Sequence, residues 1–171
     1  KEATKITVRG VNQNFSKKYE ARVIATDKVN DIAIIKINCR LSSPINYSFK
    51  WNVSNVGEEV FTLGYPLKTT MGEEIKLTDG IISSRSGFRG EKSTYQITTP
   101  VQPGNSGSPL SNDDGYVIGL ISSKHTGAEN AGYAVKSHLI RNLIHSISSN
   151  IDITNSNYLR KKSLSEQVKL A

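Results

Sequence analysis

The sequence predicts an all-β protein with one helix near its C-terminus. Short apolar or alternating segments recur along the chain, and clusters of Gly, Pro, Asn, Asp and Ser separate them. The apolar content of 36% and the aromatic content of 7% suit a globular β protein. A length of 171 residues is enough for one large core or two small ones.

The predicted elements follow from residue periodicity and turn signals. Strands are expected near 4–9, 19–26, 31–37, 59–63, 75–84, 94–99, 107–111, 116–123 and 132–136. Segment 38–58 contains the turn-rich run around Pro44 and is expected to link two groups of strands. Leucine and isoleucine at 139, 140, 143, 144 and 147 lie on one helical face, which predicts a helix over about 137–148. Residues 158–171 form a charged, weakly helical tail.

The run Gln102–Leu110 carries the most specific chemical signal. It places Ser106 between Gly104 and Gly107, ahead of Pro109. Glycine reaches backbone angles that a Cβ forbids, so this turn can aim the N–H groups of Gly104 and Ser106 at one point beside the serine oxygen. A nucleophile beside two converging donors is the minimum that acyl transfer needs. On these residues alone, an ordinary turn between two strands is the alternative.

A serine nucleophile needs a base, and the base needs an orienting carboxylate. Asp31 precedes the apolar run 32–37, which predicts a buried strand. A carboxylate at the start of such a strand is costly to desolvate without a donor, and an imidazole N–H would be a suitable one. By itself, Asp31 is equally well explained as a turn residue without a catalytic role.

Several short segments stand in the order and spacing found in chymotrypsin-fold serine proteases, and they most resemble the bacterial HtrA/Deg branch. The segments are 30–35, 56–66, 77–84, 104–107, 115–120 and 132–135. The resemblance extends from the first residues to about 147. It implies a chymotrypsin-like double β-barrel, with the first barrel incomplete in this chain, followed by a C-terminal α-helix. The implied divisions are the remainder of the first barrel, an inter-barrel linker, the second barrel with its helix, and a tail or linker, at 1–37, 38–58, 59–148 and 149–171.

The resemblance also implies a serine endopeptidase that hydrolyses polypeptides by a Ser-His-Asp mechanism, with no cofactor. Ser106 matches the nucleophile, and Asp31 matches the residue that orients the histidine. Gly104 and Ser106 match the residues whose N–H groups form the oxyanion hole.

In this family the specificity pocket is walled by residues before the serine and by two later strands. The matching residues of this chain are Pro100, Ile121, Ser122, Ser123 and Gly132. Because Pro100 stands where Lys/Arg-specific relatives carry an aspartate, a cationic substrate side chain would lack a partner. Ile121 is therefore expected to favour a small or medium aliphatic side chain. The competing interpretation uses Lys124 and His125 to bind an acidic side chain.

The order of catalytic residues departs from the family pattern. All three histidines, His125, His138 and His145, follow Ser106, whereas the family histidine precedes the aspartate. We therefore expect that the chain is a fragment, that its catalytic histidine lies upstream of Lys1, and that the fragment alone is inactive.

Two questions stay open: whether one of the three histidines has a catalytic role, and whether the protein is an enzyme. His138 and His145 are expected on the flank of the predicted helix, and His125 is expected to be solvated, with a catalytic role as the alternative. The rival function is a protease-fold module that binds peptides or acts as a scaffold without hydrolysis. A histidine encoded just before Lys1 would favour the enzyme.

Composition narrows the other classes of function. The net charge is +7, but the basic residues are scattered except at 160–162, and no recognition helix is apparent, so no nucleic-acid partner is expected. No apolar run approaches the roughly 18 residues that a membrane-spanning helix needs. Cys39 is the only cysteine, which excludes an intramolecular disulfide. No metal-ligand spacing is present, so no metal is predicted.

Two further expectations concern assembly and compartment. A first barrel without its opening strands would have unpaired edges, so a homo-oligomer or an exchange of strands between chains is possible. The family resemblance favours a periplasmic or otherwise extracytoplasmic location.

Overall fold

The computed structural model describes residues 5–43, 45–66, 72, 74–124, 131–147, 151, 153 and 155–170, with only the backbone for 123 and 124. Contacts divide the chain into two compact units. The first unit joins Lys1–Ile45 with Asn142–Asp152, and the second joins Asn46–Arg141 with Ile153–Ala171. The domain boundaries expected from the sequence stay a prediction.

The first unit contains a three-stranded antiparallel sheet. Its strands are β1 (Ile6–Val8), β2 (Tyr19–Asp27) and β3 (Ile32–Ile37), in the spatial order β1-β2-β3. Val23 lies opposite Ile35 across the β2–β3 pair, and the register shifts between Val23 and Ala25. The three strands predicted from periodicity in this region are confirmed.

The second unit contains a closed barrel of six strands. The described residues of this unit form seven strands: β4 (Ser48–Phe49), β5 (Glu59–Gly64), β6 (Lys76–Ser84), β7 (Thr94–Ile97), β8 (Pro109–Asn112), β9 (Tyr116–Lys124) and β10 (Gly132–Lys136). They follow the order β10-β7-β6-β5-β8-β9-β4, and an additional pairing of β9 with β10 closes the six-stranded ring. β4 lies outside the ring and pairs with β9 in parallel. The sequence did not predict β4, because two residues are too short for a periodic signal.

Alternating side chains of these strands fill the barrel. The buried cluster consists of Val60, Ile82, Tyr95, Ile97, Val101, Leu110, Ile118, Ile121 and Ala134. The Tyr95 hydroxyl accepts a hydrogen bond from the Ser54 N–H at 2.8 Å, which satisfies the polar end of an otherwise apolar ring.

In the described part of the chain, two α-helices follow the barrel. Helix α1 (Ser137–Ile147) begins directly after β10, and helix α2 (Leu164–Leu170) lies in the predicted tail. The amphipathic helix expected from the Leu/Ile face is confirmed, and Ile140 is its most buried apolar residue.

Residues 155–170, here named the C-terminal strap, belong to the second unit and pack against its barrel. Leu159 and Gln167 are 2% and 1% exposed. In the β8–β9 turn, the Asn157 side-chain amide donates to the Asp114 carbonyl at 2.9 Å, and the Gln167 side-chain amide donates to the Asp113 carbonyl at 2.6 Å. The strap is therefore fixed at the end of β8 that lies away from Ser106.

Candidate active site

The Ser106 loop is built from two consecutive turns. The Asn105 N–H donates to the Gln102 carbonyl at 3.0 Å, and the Ser108 N–H donates to the Asn105 carbonyl at 2.9 Å. Gly104 and Gly107 have φ angles of 102° and 86°, in the left-handed region that favours glycine. This alternation turns Asn105 into the protein and leaves Ser106 exposed.

The loop is attached to β9 on its C-terminal side. The Gly107 N–H donates to the Ile121 carbonyl at 2.7 Å, and the Ile121 N–H donates to the Ser108 carbonyl at 2.8 Å. The Ser106 hydroxyl donates to the Ser122 carbonyl at 2.7 Å. The proton of the predicted nucleophile thus points to an acceptor that cannot remove it.

The backbone donors expected to form an oxyanion hole have no acceptor in the described part of the chain. Neither the Gly104 N–H nor the Ser106 N–H donates a hydrogen bond to a described residue. Both residues are exposed, so a ligand oxygen can approach them. Exposed, unoccupied backbone N–H groups beside a serine hydroxyl are suited to stabilising a developing negative charge.

Asp31 belongs to the first unit, in the hairpin turn between β2 and β3. Asp27 organises this turn: its carboxylate accepts from the Val29 and Asn30 N–H groups at 3.0 Å and 3.1 Å and from the Asn30 side chain at 2.6 Å. The hydrogen bonds from Asn30 hold the pKa of Asp27 below its usual value. Asp31 is exposed and has a φ of 54°, which Asp tolerates better than most residues.

No role was predicted for Asp27 from the sequence, although its spacing from Asn30 predicts a turn. An aspartate that precedes an asparagine by three residues is typical of a turn in which the carboxylate caps backbone N–H groups. The residue that shapes the turn is therefore Asp27, while Asp31 is presented at its end with a side chain that bonds no described residue.

A family model of the trypsin-like peptidase domain matches residues 2–120, which is more than half of the chain. The chain belongs to the trypsin-like peptidase family. Among curated relatives, a serine protease DegP homolog of Plasmodium falciparum is 28% identical over 166 residues, covering 94% of this chain and 18% of that protein. The serine protease Do-like HtrB of Bacillus subtilis is 28% identical over 158 residues, covering 86% of this chain and 33% of that protein.

A solved structure gives the same picture of the fold. The serine endoprotease from Yersinia pestis superposes with a TM-score of 0.69 at 24% identity, over 85% of this chain and 49% of that one. The predicted all-β, chymotrypsin-like class and the resemblance to HtrA-type serine proteases are confirmed. This trypsin-like peptidase domain spans less than half the length of each of these three proteins.

The predicted pocket residues of the peptidase domain have different environments. Pro100 is exposed, Ser122 is half-buried, and Ile121 is 2% exposed within the barrel core. The Ser123 side chain lies outside the described residues. Gly132 is buried against Val101: a Cβ on this glycine would lie 2.6 Å from the Val101 Cγ2 atom.

Val101, which the sequence prediction did not name, belongs to the buried cluster of the barrel and packs against Gly132. Its signal was its position directly after Pro100 and before the Ser106 loop.

The histidines of the peptidase domain are spread over α1 and a region that is not described. His125 lies outside the described residues. His138 is half-buried, and burial together with the positive charge of Lys136 lowers its pKa. His145 is exposed on the last turn of α1.

The described residues hold neither a candidate metal site nor a helix that could cross a bilayer. No group of three or more His, Cys, Asp and Glu side chains there is arranged to hold a metal ion. In the same residues, neither helix is long and apolar enough to cross a bilayer.

Proposed function

We propose that the protein containing this chain is a serine endopeptidase and that Ser106 is its nucleophile. The observation that carries this proposal is the exposed Ser106 hydroxyl beside the N–H groups of Gly104 and Ser106, which have no acceptor among the described residues. Membership of the trypsin-like peptidase family and the naming of its relatives as serine proteases support the same reaction class.

In the proposed reaction, the Ser106 Oγ attacks the substrate carbonyl carbon while a histidine removes the hydroxyl proton. The carbonyl oxygen becomes an oxyanion and accepts hydrogen bonds from the Gly104 and Ser106 N–H groups. The histidine then donates the proton to the leaving amine, and water releases the acyl group by the same steps. Asp31 is proposed to orient the histidine, as the family resemblance implies.

The Ser106 hydroxyl, which donates a hydrogen bond to the Ser122 carbonyl, is in a resting orientation and is not yet ready to react. A carbonyl accepts the proton without removing it, so the hydroxyl has to rotate away from Ser122 before a base can act. We propose that the histidine comes from a segment preceding residue 1 and that the 171-residue chain alone does not hydrolyse peptides. Removing one triad member lowers the rate by about 10⁴-fold or more, which is enough to abolish measurable turnover.

The proposed substrate preference is a small or medium aliphatic side chain before the cleaved bond. The family resemblance, which matches Ile121 to the wall of the pocket, supports this preference. An exposed proline at position 100 supplies no carboxylate for a lysine or arginine. The competing preference, for an acidic side chain, relies on Lys124 and His125.

The test of the nucleophile uses the full-length protein and a fluorophosphonate probe. We expect the wild type to be labelled at Ser106 and Ser106→Ala to lose labelling and peptidase activity by at least about 10³-fold. Ser108→Ala, which removes a hydroxyl two residues away, is the matched control and should be labelled normally. Labelling that persists in Ser106→Ala would refute the assignment.

Two additional measurements separate the remaining alternatives. The 171-residue chain should not be labelled, and labelling that disappears in His125→Ala would show that a downstream histidine can serve. A full-length protein that binds peptides without labelling at Ser106 would favour the non-catalytic module. Cleavage of a peptide library after Val, Ala or Ile supports the proposed preference, whereas cleavage after Glu supports the competing one.

A further inference from the structure

Asn105 is the buried neighbour of the proposed nucleophile. It is 2% exposed, whereas Gly104 and Ser106 on either side are exposed. Its backbone belongs to both turns of the loop, because its N–H donates to Gln102 and its carbonyl accepts from Ser108. A displacement of Asn105 would therefore move both turns together.

The side chain of Asn105 lies against the end of β5. A Cβ on Gly64 would lie 2.8 Å from the Asn105 Oδ1 and 2.8 Å from the Ser108 Oγ, closer than real Cβ contacts allow. A side chain at position 64 would therefore force the Asn105 amide or the Ser108 hydroxyl to move. The contact joins the Ser106 loop to the barrel wall from the side opposite β9.

The Oδ1 atom of Asn105 is buried and accepts no hydrogen bond from the described residues. Buried acceptors are normally paired, since leaving one unpaired costs stability. An apolar side chain of similar size would avoid that cost, so the stability of the barrel does not account for an asparagine here.

We propose that Asn105 is a positioning residue that holds the Gly104–Ser106 backbone in its described conformation, in which both N–H groups lack an acceptor among the described residues. The inference rests on the proposed role of Ser106 as nucleophile. The Asn105 amide, held against Gly64, keeps residue 105 turned into the protein. Ser106, between two glycines with positive φ, is therefore turned towards solvent. Because oxyanion stabilisation acts on the transition state, a misplaced backbone lowers kcat more than it raises KM.

The first experiment compares Asn105→Ala with Ser108→Ala in the full-length enzyme. Both variants remove an atom next to Gly64, but only Asn105→Ala removes the buried amide group that lies against this glycine. We expect Asn105→Ala to lower kcat by about 10- to 100-fold with KM changed less than about threefold, and Ser108→Ala to leave kcat within about twofold. An unchanged kcat in Asn105→Ala, or a loss that Ser108→Ala reproduces, would overturn the proposal.

A second variant tests the contact itself without deleting the amide. Gly64→Ala inserts a methyl group against Oδ1 and should also lower kcat by about tenfold or more. In the Asn105→Ala background the same insertion should cost much less, because the group it displaces is gone. Equal effects in both backgrounds would show that Gly64 and Asn105 act independently, and the proposal would fail.

A measurement that needs no activity distinguishes this inference from the proposed function. In the 171-residue chain, Asn105→Ala should shift the backbone ¹⁵N–¹H resonances of Ser108 and Ile121, whose N–H groups hydrogen-bond to the loop without being next to residue 105 in sequence. The melting temperature reports any general loss of stability. If these resonances stay in place, Asn105 does not position the loop. If they shift while Ser106→Ala retains full-length activity, the positioning holds and the assignment of Ser106 is wrong.

Discussion

Lys136 is a buried cation that holds the connection between β6 and β7. Its side chain is enclosed, with the residue only 4% exposed. The Lys136 Nζ donates to the Arg85 carbonyl at 2.6 Å and to the Lys92 carbonyl, and it lies 5.1 Å from the centre of the Tyr95 ring. Burial, reinforced by the positive charge of Arg85, lowers the pKa of Lys136.

Because the pKa of Lys136 is lowered in the folded state, the free energy of unfolding depends on pH in the alkaline range. Between the folded pKa of Lys136 and its unfolded value of 10.5, the unfolded chain binds the extra proton, so the free energy of unfolding rises with pH. We expect wild type to gain stability relative to Lys136→Met over this interval, as measured by urea unfolding followed through Trp51 fluorescence.

The control for this comparison concerns the neighbouring phenol. Burial raises the pKa of Tyr95, which titrates in the same alkaline region with the opposite sign. Making both proteins in a Tyr95→Phe background removes that contribution. A stability difference that does not change with pH would contradict the lowered pKa of Lys136.

The C-terminal strap packs closely against Gly115 in the β8–β9 turn, where there is no room for a side chain. Gly115 has a φ of 75°, and a Cβ there would lie 2.5 Å from the Leu159 Cβ.

The strap also covers one side of β5. Phe61 points out of the barrel, because its neighbour Val60 points in, yet Phe61 is only 5% exposed. Phe61, Leu164 and Gln167 line one cavity of about 440 Å³, so the strap lies over the outer face of β5.

A methyl group at position 115 should displace the strap. We expect Gly115→Ala to lower the free energy of unfolding by about 1–3 kcal/mol more than Gly57→Ala does. Gly57 is the matched control, because its φ is 88° and a Cβ there meets nothing within 4 Å. Hydrogen exchange should become faster over 164–170 in Gly115→Ala only, and equal effects of the two variants would show that the strap does not depend on Gly115.

The sheet of the first unit leaves apolar side chains in solvent. Val23 and Ile35, opposite each other on β2 and β3, are 46% and 42% exposed. Among the described strands, β1 and β3 each pair on one side only. Exposed apolar residues beside an unpaired edge favour association with another chain.

We predict that the 171-residue chain self-associates through this sheet. Ile35→Lys should shift sedimentation velocity profiles towards monomer, because a charge on an edge strand opposes pairing. Ile81→Lys is the matched control, since Ile81 is 40% exposed on the second unit and should leave association unchanged. A wild-type chain that sediments as a stable monomer at high concentration would contradict the prediction.

Local pattern was sufficient for most of the strands and for the helix face. The predicted strand 19–26 is β2 (Tyr19–Asp27), and the predicted strand 132–136 is β10 (Gly132–Lys136). These elements carry their own periodicity and turn signals, so no distant residue is needed to recognise them. β4 has neither, because only its parallel partner β9 makes it a strand.

The sequence by itself determined the fold class, the family and the glycine-flanked Ser106, since motif order and glycine positions are properties of the chain. Tertiary structure alone decided that the Ser106 hydroxyl donates to Ser122, that Asn105 lies against Gly64, and that Val101 packs against Gly132. Each of these contacts joins residues at least 16 positions apart. Such contacts depend on barrel closure and strand register, which no local pattern encodes.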